Sequence, residues 1–211
     1  VFKKERKDCD YLVVKSIQYE VNDEKFNEVE LNWRGHCHYT KMIKKICEYN
    51  RRSQFIVKII EDLVKKDEDD NLQIMILAHN KSLIKYLYEA ISMKGLATVG
   101  YYVGGMKEKD LKISEGKKVI IATYAMAEEG LDIKTLTTLV MATPRVDVTQ
   151  AVGRILRKRH DNAEVYDIID SHAIFQRHWK KRMTFYRKQN FKIFLTTNKK
   201  YIEKRMESIY D

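Results

Sequence analysis

Two rhythms of apolar residues run along this chain. Short apolar runs occupy 73–78, 97–103, 119–123, 137–142 and 164–169, each rich in Ile, Val, Leu or Tyr and too short for a buried helix. These predict five strands. Between them the spacing changes to three and four. Residues 81–93 place Leu83, Ile84, Leu87 and Ile91 on one helical face. Shorter helices are predicted over 106–114 and 148–157. Strand and helix in regular alternation predict an α/β fold, a parallel sheet with helices on both faces.

The flanks read differently. Residues 10–20 alternate as an extended segment whose sheet the pattern does not assign. Helical stripes follow at 39–49 (Met42, Ile43, Ile46) and 53–65 (Phe55, Ile56, Ile59, Ile60, Leu63). The run K-K-D-E-D-D-N at 65–71 predicts an exposed turn. Beyond 170 the chain is predicted helical, with Phe175, Trp179, Met183 and Tyr186 as a packing stripe and basic residues between them free to face phosphates. A last short helix is predicted over 199–208.

Charge changes the picture. The formal net charge is +10, yet residues 1–70 carry 15 basic and 15 acidic side chains, whereas residues 151–211 carry 15 and 7. A basic excess confined to one segment is an electrostatic footprint for nucleic acid, against the plainer reading of a solvated lysine-rich tail. Three cysteines (Cys9, Cys37, Cys47) fit neither a disulfide framework nor a zinc site, and His36-Cys37-His38 lacks a second spaced pair, so no metal site is expected. Reduced thiols fit an intracellular setting. There is no run of 18 apolar residues and no signal-peptide pattern, so no membrane partner and no secretion are expected. The start at Val1 rather than Met reads as a piece of a longer polypeptide.

The sharpest chemistry lies at 149–157, T-Q-A-V-G-R-I-L-R. On a helix, Val148, Ala151, Val152, Ile155 and Leu156 share one stripe, while Gln150, Arg154 and Arg157 fall opposite. Two guanidiniums three residues apart can grip one polyanion such as a triphosphate, because each is a planar fork matched to phosphate oxygens. Upstream, K-V-I-I-A-T at 118–123 leads into Y-A-M-A-E-E-G-L-D-I at 124–133. His79 and Asn80, Gly104 and Gly105, Thr123, Thr143 and Asp170 each follow or close a predicted strand, where ligands of parallel sheets gather.

The pair T-x-x-x-A-x-E-G-L-D-I and Q-x-x-G-R-x-x-R resembles motifs V and VI of superfamily 2 helicases, in the right order. I-M-I-L-A-H-N-K-S-L-I-K-Y-L at 74–87 resembles motif IV, and Y-Y-V-G-G at 101–105 the glycine turn after it. The E-G-L-D-I and Q-A-V-G-R-I-L-R wording resembles DExH-type helicases, including those of large DNA viruses that act in transcript release. Gln at the start of motif VI departs from the His of DEAD-box RNA helicases.

The resemblance covers 72–170 and implies a RecA-like lobe, the C-terminal one of two. It implies ATP at a cleft between the lobes. Arg154 and Arg157 would contact the triphosphate, with Gln150 positioning the site. Gly130 and Gly153 would let the nucleotide approach, and Asp132 would bind the ribose, against a competing reading as a turn residue or helix cap. His79, Asn80, Gly104, Gly105 and Thr123 would lie on the nucleic-acid side.

The implied division is 1–70 as a connecting segment with helices, 71–170 as the lobe and 171–211 as a basic helical segment. No G-x-x-x-x-G-K-[ST] loop is present, and D-E-D-D at 67–70 follows no apolar strand. ATP and Mg²⁺ are therefore expected to be held mainly by an N-terminal lobe of the same polypeptide. The expected partners are that lobe and DNA or RNA. If viral, the setting is host cytoplasm or virion. The alternatives are a lobe reduced to binding nucleic acid or protein, and an unrelated nucleotide-binding domain with a basic tail.

Overall fold

The computed structural model describes residues 12–68, 70–129, 133–155, 163–204 and 207–208, with the side chains of 129, 154, 155, 207 and 208 outside that description. Among these residues one eight-stranded sheet forms the centre. Its strands are β1 (Leu12–Tyr19), β2 (Ile74–Ala78), β3 (Val99–Tyr102), β4 (Val119–Thr123), β5 (Thr138–Met141), β6 (Ala163–Asp170), β7 (Lys192–Thr197) and β8 (Glu207–Ser208). The order is β3-β4-β2-β5-β6-β1-β7-β8, parallel throughout except for the β7–β8 pair.

Period two explains why β2 reads as unbroken apolar sequence. Ile74, Ile76 and Ala78 point into one core, and Met75 and Leu77 into the other. The first core is closed by α2 (Tyr39–Glu48), α3 (Asn50–Lys65) and α4 (Lys81–Met93), whose predicted stripes are all buried. The second is closed by α6 (Tyr124–Glu129) and α7 (Thr149–Ile155). A short α1 (Glu24–Asn27) precedes α2, and α5 (Glu108–Glu115) connects β3 to β4. Gly100 of β3 lets α5 approach: a Cβ there would lie 2.9 Å from the Ser114 Cβ.

The five strands of the central stretch form where expected, within a few residues. Four features differ. Residues 12–19 of the extended segment belong to the same sheet, with β1 seated between β6 and β7. The segment after 170 is not wholly helical. After α8 (Ala173–Lys188), K-I-F-L-T-T forms β7, because a run rich in β-branched and aromatic residues fits a pleated surface beside β1. The last helix, α9, covers only Asn198–Ile202, and 207–208 pairs as a strand. On α8 the buried positions are Phe175, Trp179, Arg182 and Tyr186, so Arg182 takes the inward place expected of Met183.

That burial is possible because β6 supplies the counter-charge. Arg182 Nε and Nη2 donate to the Asp167 carboxylate at 2.8 and 2.9 Å, and Tyr186 Oη donates to it at 3.1 Å. A second buried pair joins α3 to the end of β6: Arg52 donates to Asp170 at 2.6 and 2.9 Å. Asp170 is therefore a structural anchor rather than a ligand-facing residue. Among the described residues, no helix is long and apolar enough to cross a membrane.

Candidate functional site

The chain leaves β2 for β3 on one side of it, returns through β4, and then crosses to β5 on the other side. Such a reversal opens a crevice beyond the carboxyl ends of the flanking strands. The residues that end β2, β4 and β5 meet there. The Thr143 hydroxyl, just past β5, accepts from the His79 backbone N–H at 3.1 Å and lies 2.8 Å from His79 Nδ1. Tyr124, just past β4, is buried, and its hydroxyl donates to the Thr143 carbonyl at 2.6 Å. The His79 and Tyr124 rings pack with centroids 4.6 Å apart.

This packing sets the chemistry of His79. His79 keeps an exposed edge at the crevice, but desolvation of the face packed on Tyr124, and then the nearby Arg145 cation, lower its pKa from 6.5 to about 4. At neutral pH it is an uncharged imidazole, a hydrogen-bonding group rather than a cation. Arg145 donates from Nη2 to both carboxylate oxygens of Glu128 on α6, each at 3.0 Å, and stands 5.5 Å from the Tyr124 ring centre. Its carbonyl accepts from Arg182 Nη1 at 2.5 Å. The loop between β5 and α7 is thus tied to α8 and, through Asp167, to β6. Tyr124, Glu128, Arg145 and Arg182 escaped the sequence reading. A basic residue directly after the Thr143-Pro144 turn was the available signal for Arg145.

The other expected nucleic-acid residues have definite local roles. Asn80 is the N-cap of α4, its Oδ1 accepting from the Ser82 backbone N–H at 2.7 Å. Thr123 ends β4, and its hydroxyl accepts from the Met126 N–H at 3.4 Å. Gly104 and Gly105 form the turn after β3, at the edge strand, with β4 between them and β2. Gly105 has φ +87, a left-handed backbone that glycine adopts without cost. A Cβ at either glycine would meet nothing within 4 Å.

On α7 the expected division of faces holds as far as it is described. Val148, Ala151 and Val152 are buried, whereas Gln150 and Gly153 are exposed. A Cβ on Gly153 would meet nothing within 4 Å. The Asp147 carboxylate accepts from the Thr149 N–H at 2.9 Å and so caps the helix start. The Arg154 backbone is helical, and its side chain lies outside the described residues, as do Gly130, Asp132 and Arg157 altogether.

No family model matches the chain. It is 33% identical over 214 residues to a protein of Acanthamoeba polyphaga mimivirus provisionally named an ATP-dependent RNA helicase, covering 98% of this chain and 40% of that protein. It is 29% identical over 151 residues to the ATP-dependent DNA helicase UvsW of Enterobacteria phage T4, covering 64% of this chain and 28% of UvsW. The chain spans less than half the length of these relatives. The crystal structure of T4 UvsW matches the fold with a TM-score of 0.65 at 22% identity, over 88% of this chain and 41% of that one. Saccharomyces cerevisiae Dbp5, solved with RNA and ADP BeF3, matches with a TM-score of 0.55 at 12% identity, over 92% and 43%. In sequence the chain is similar to parts of viral proteins named as helicases, and in fold it is a RecA-like lobe.

Proposed function

We propose that this lobe completes an ATP-hydrolysing cleft against an N-terminal lobe of the same polypeptide, and that the pair moves along or separates nucleic acid. The observation that supports it most is the two-faced α7. The helix packs through Val148, Ala151 and Val152, and presents Gln150 and Gly153 to open space. An exposed polar helix face with a glycine fits a polyphosphate approached from outside the lobe. When bound, ATP would supply a phosphoanhydride whose cleavage spreads negative charge over phosphoryl oxygens. Arg154 and Arg157 are the residues proposed to neutralise that charge, and Gln150 to position the reacting groups. Gly130 and Gly153 would permit close backbone approach, and Asp132 would accept from ribose hydroxyls. The chain has no phosphate-binding loop of its own, so the N-terminal lobe would hold Mg²⁺ and most of the triphosphate.

The nucleic-acid contact is proposed on the same carboxyl edge. Neutral His79, the Asn80 amide, the Thr123 hydroxyl and the backbone of Gly104 and Gly105 suit phosphate and sugar contacts that carry no sequence information. The exposed cations of α8, Arg177, Lys180, Lys181 and Lys188, add a screened electrostatic attraction. A module that only binds nucleic acid leaves the two guanidiniums of motif VI without a task.

The test is ATP turnover by a polypeptide carrying both lobes, with and without single- and double-stranded DNA and RNA. Turnover stimulated by a nucleic acid is expected, and the best activator names the substrate class. Absence of turnover under all conditions would overturn the proposal.

A further inference from the structure

Among the described residues, the most exposed large aromatic side chain belongs to no motif. Trp33 is 84% exposed and sits at the tip of a loop over residues 30–38. That loop is held in one shape. Leu31 and Cys37 form an antiparallel bridge, the His38 N–H donates to the Glu30 carbonyl at 2.7 Å, and the Asn32 N–H donates to the His36 carbonyl at 2.7 Å. Inside the turn, Asn32 Oδ1 accepts from the Arg34 and His36 N–H groups at 2.9 and 3.1 Å, and Gly35 closes it at φ +74. The Arg34 guanidinium lies 4.3 Å from the Trp33 ring centre. The indole is thus presented in advance, with a cation beside it.

The surroundings say what it is presented to. From Trp33 a groove runs past Tyr39 and Lys41, and a second groove sharing those two residues continues past Lys44 to His79 and Asn80. Lys41 and Lys44 are exposed, the latter 3.8 Å from Glu48 across one solvent-facing turn. Glu30, the nearest acid on the loop, is neutralised by Lys45 at 3.0 Å. The cores of protein interfaces are depleted of charge, whereas an aromatic among cations is the usual platform for an unpaired strand.

We infer that Trp33, with Arg34 beside it, stacks on bases of a single nucleic-acid strand whose backbone runs along the Tyr39–Lys44 groove to His79 and Asn80. This rests on the nucleic-acid part of the proposed function and adds a base-contacting element from the loop between α1 and α2.

The experiment uses the 211-residue chain, a labelled oligothymidylate and an abasic oligonucleotide of equal length, titrated at low salt. Trp179 is buried and is the only other tryptophan, so fluorescence quenching on binding reports Trp33. Trp33→Ala is expected to weaken oligothymidylate binding roughly tenfold to a hundredfold, with Trp33→Phe within a fewfold of the parent. The abasic strand should bind parent and Trp33→Ala alike and quench little. If the parent binds the strand but Trp33→Ala binds equally well, the indole serves a protein contact and the inference falls alone. If the parent binds no strand at any low salt, the nucleic-acid reading falls with it.

Discussion

Arg182→Ala tests how the site is held. Its guanidinium is 1% exposed and makes two hydrogen bonds to Asp167 and a third to the Arg145 carbonyl. Removing it strands the Asp167 carboxylate in the second core, with only the Tyr186 hydroxyl still donating to it among the described residues. It also frees a carbonyl in the loop that precedes α7. Breaking a buried pair by deleting one partner costs about 3–5 kcal/mol, because the remaining charge is left uncompensated. Against a typical stability of roughly 5–15 kcal/mol, that is a large share. Urea unfolding of the parent and the variant, extrapolated to water, measures the difference. Arg182→Met with Asp167→Leu should recover part of the loss, since both charges are then gone, giving a cycle in which the double change costs less than the sum. A loss below about 1 kcal/mol for Arg182→Ala would refute the reasoning and show that water reaches the carboxylate.

Two further outcomes are expected. Packing against Tyr124 and the Arg145 cation lower the His79 pKa in the folded chain to about 4, below its ordinary 6.5 when unfolded. The unfolded chain therefore binds more protons between those values, and stability falls as pH drops through that window. His79→Gln should flatten this part of the stability–pH profile, and an NMR titration of the imidazole with a midpoint at or above 6.5 would contradict the packing argument. Nucleic-acid affinity should fall steeply with salt, and Lys180→Glu with Lys181→Glu should both weaken binding and reduce that slope. A filter-binding series in which the double variant keeps the parent slope would remove α8 from the contact surface.

The sequence carried the sheet wherever one periodicity ruled a whole element. Leu83, Ile84, Leu87 and Ile91 defined α4 to its ends because they recur at helical spacing over its full length. β1 was legible as extended but not as the partner of β6, since their pairing closes a gap of some 150 residues that no local pattern records. β7 was hidden by the basic helical stretch before it, and six residues offer little period to detect. The ion pairs were out of reach for a different reason. An arginine reads as surface until the fold shows an acid buried opposite it, as Asp170 stands to Arg52 across 118 residues of chain. The strand-end positions of His79 and Thr143 followed from the pattern, whereas their contact, and with it the neutral imidazole, required the order β4-β2-β5.

The central claim concerns Arg154 and Arg157, and one comparison reaches it most directly. In a polypeptide carrying both lobes, turnover of saturating ATP is measured for the parent and for Arg154→Ala, Arg157→Ala and the two lysine variants, with melting temperatures alongside. A guanidinium acting across the cleft is worth on the order of 10³–10⁵ in rate. At least one alanine variant is expected to lose that much turnover at an unchanged melting temperature, with lysine restoring little because it lacks the planar fork. Near-normal turnover in both alanine variants would contradict the account, and a large fall in melting temperature would assign the arginines to the scaffold instead.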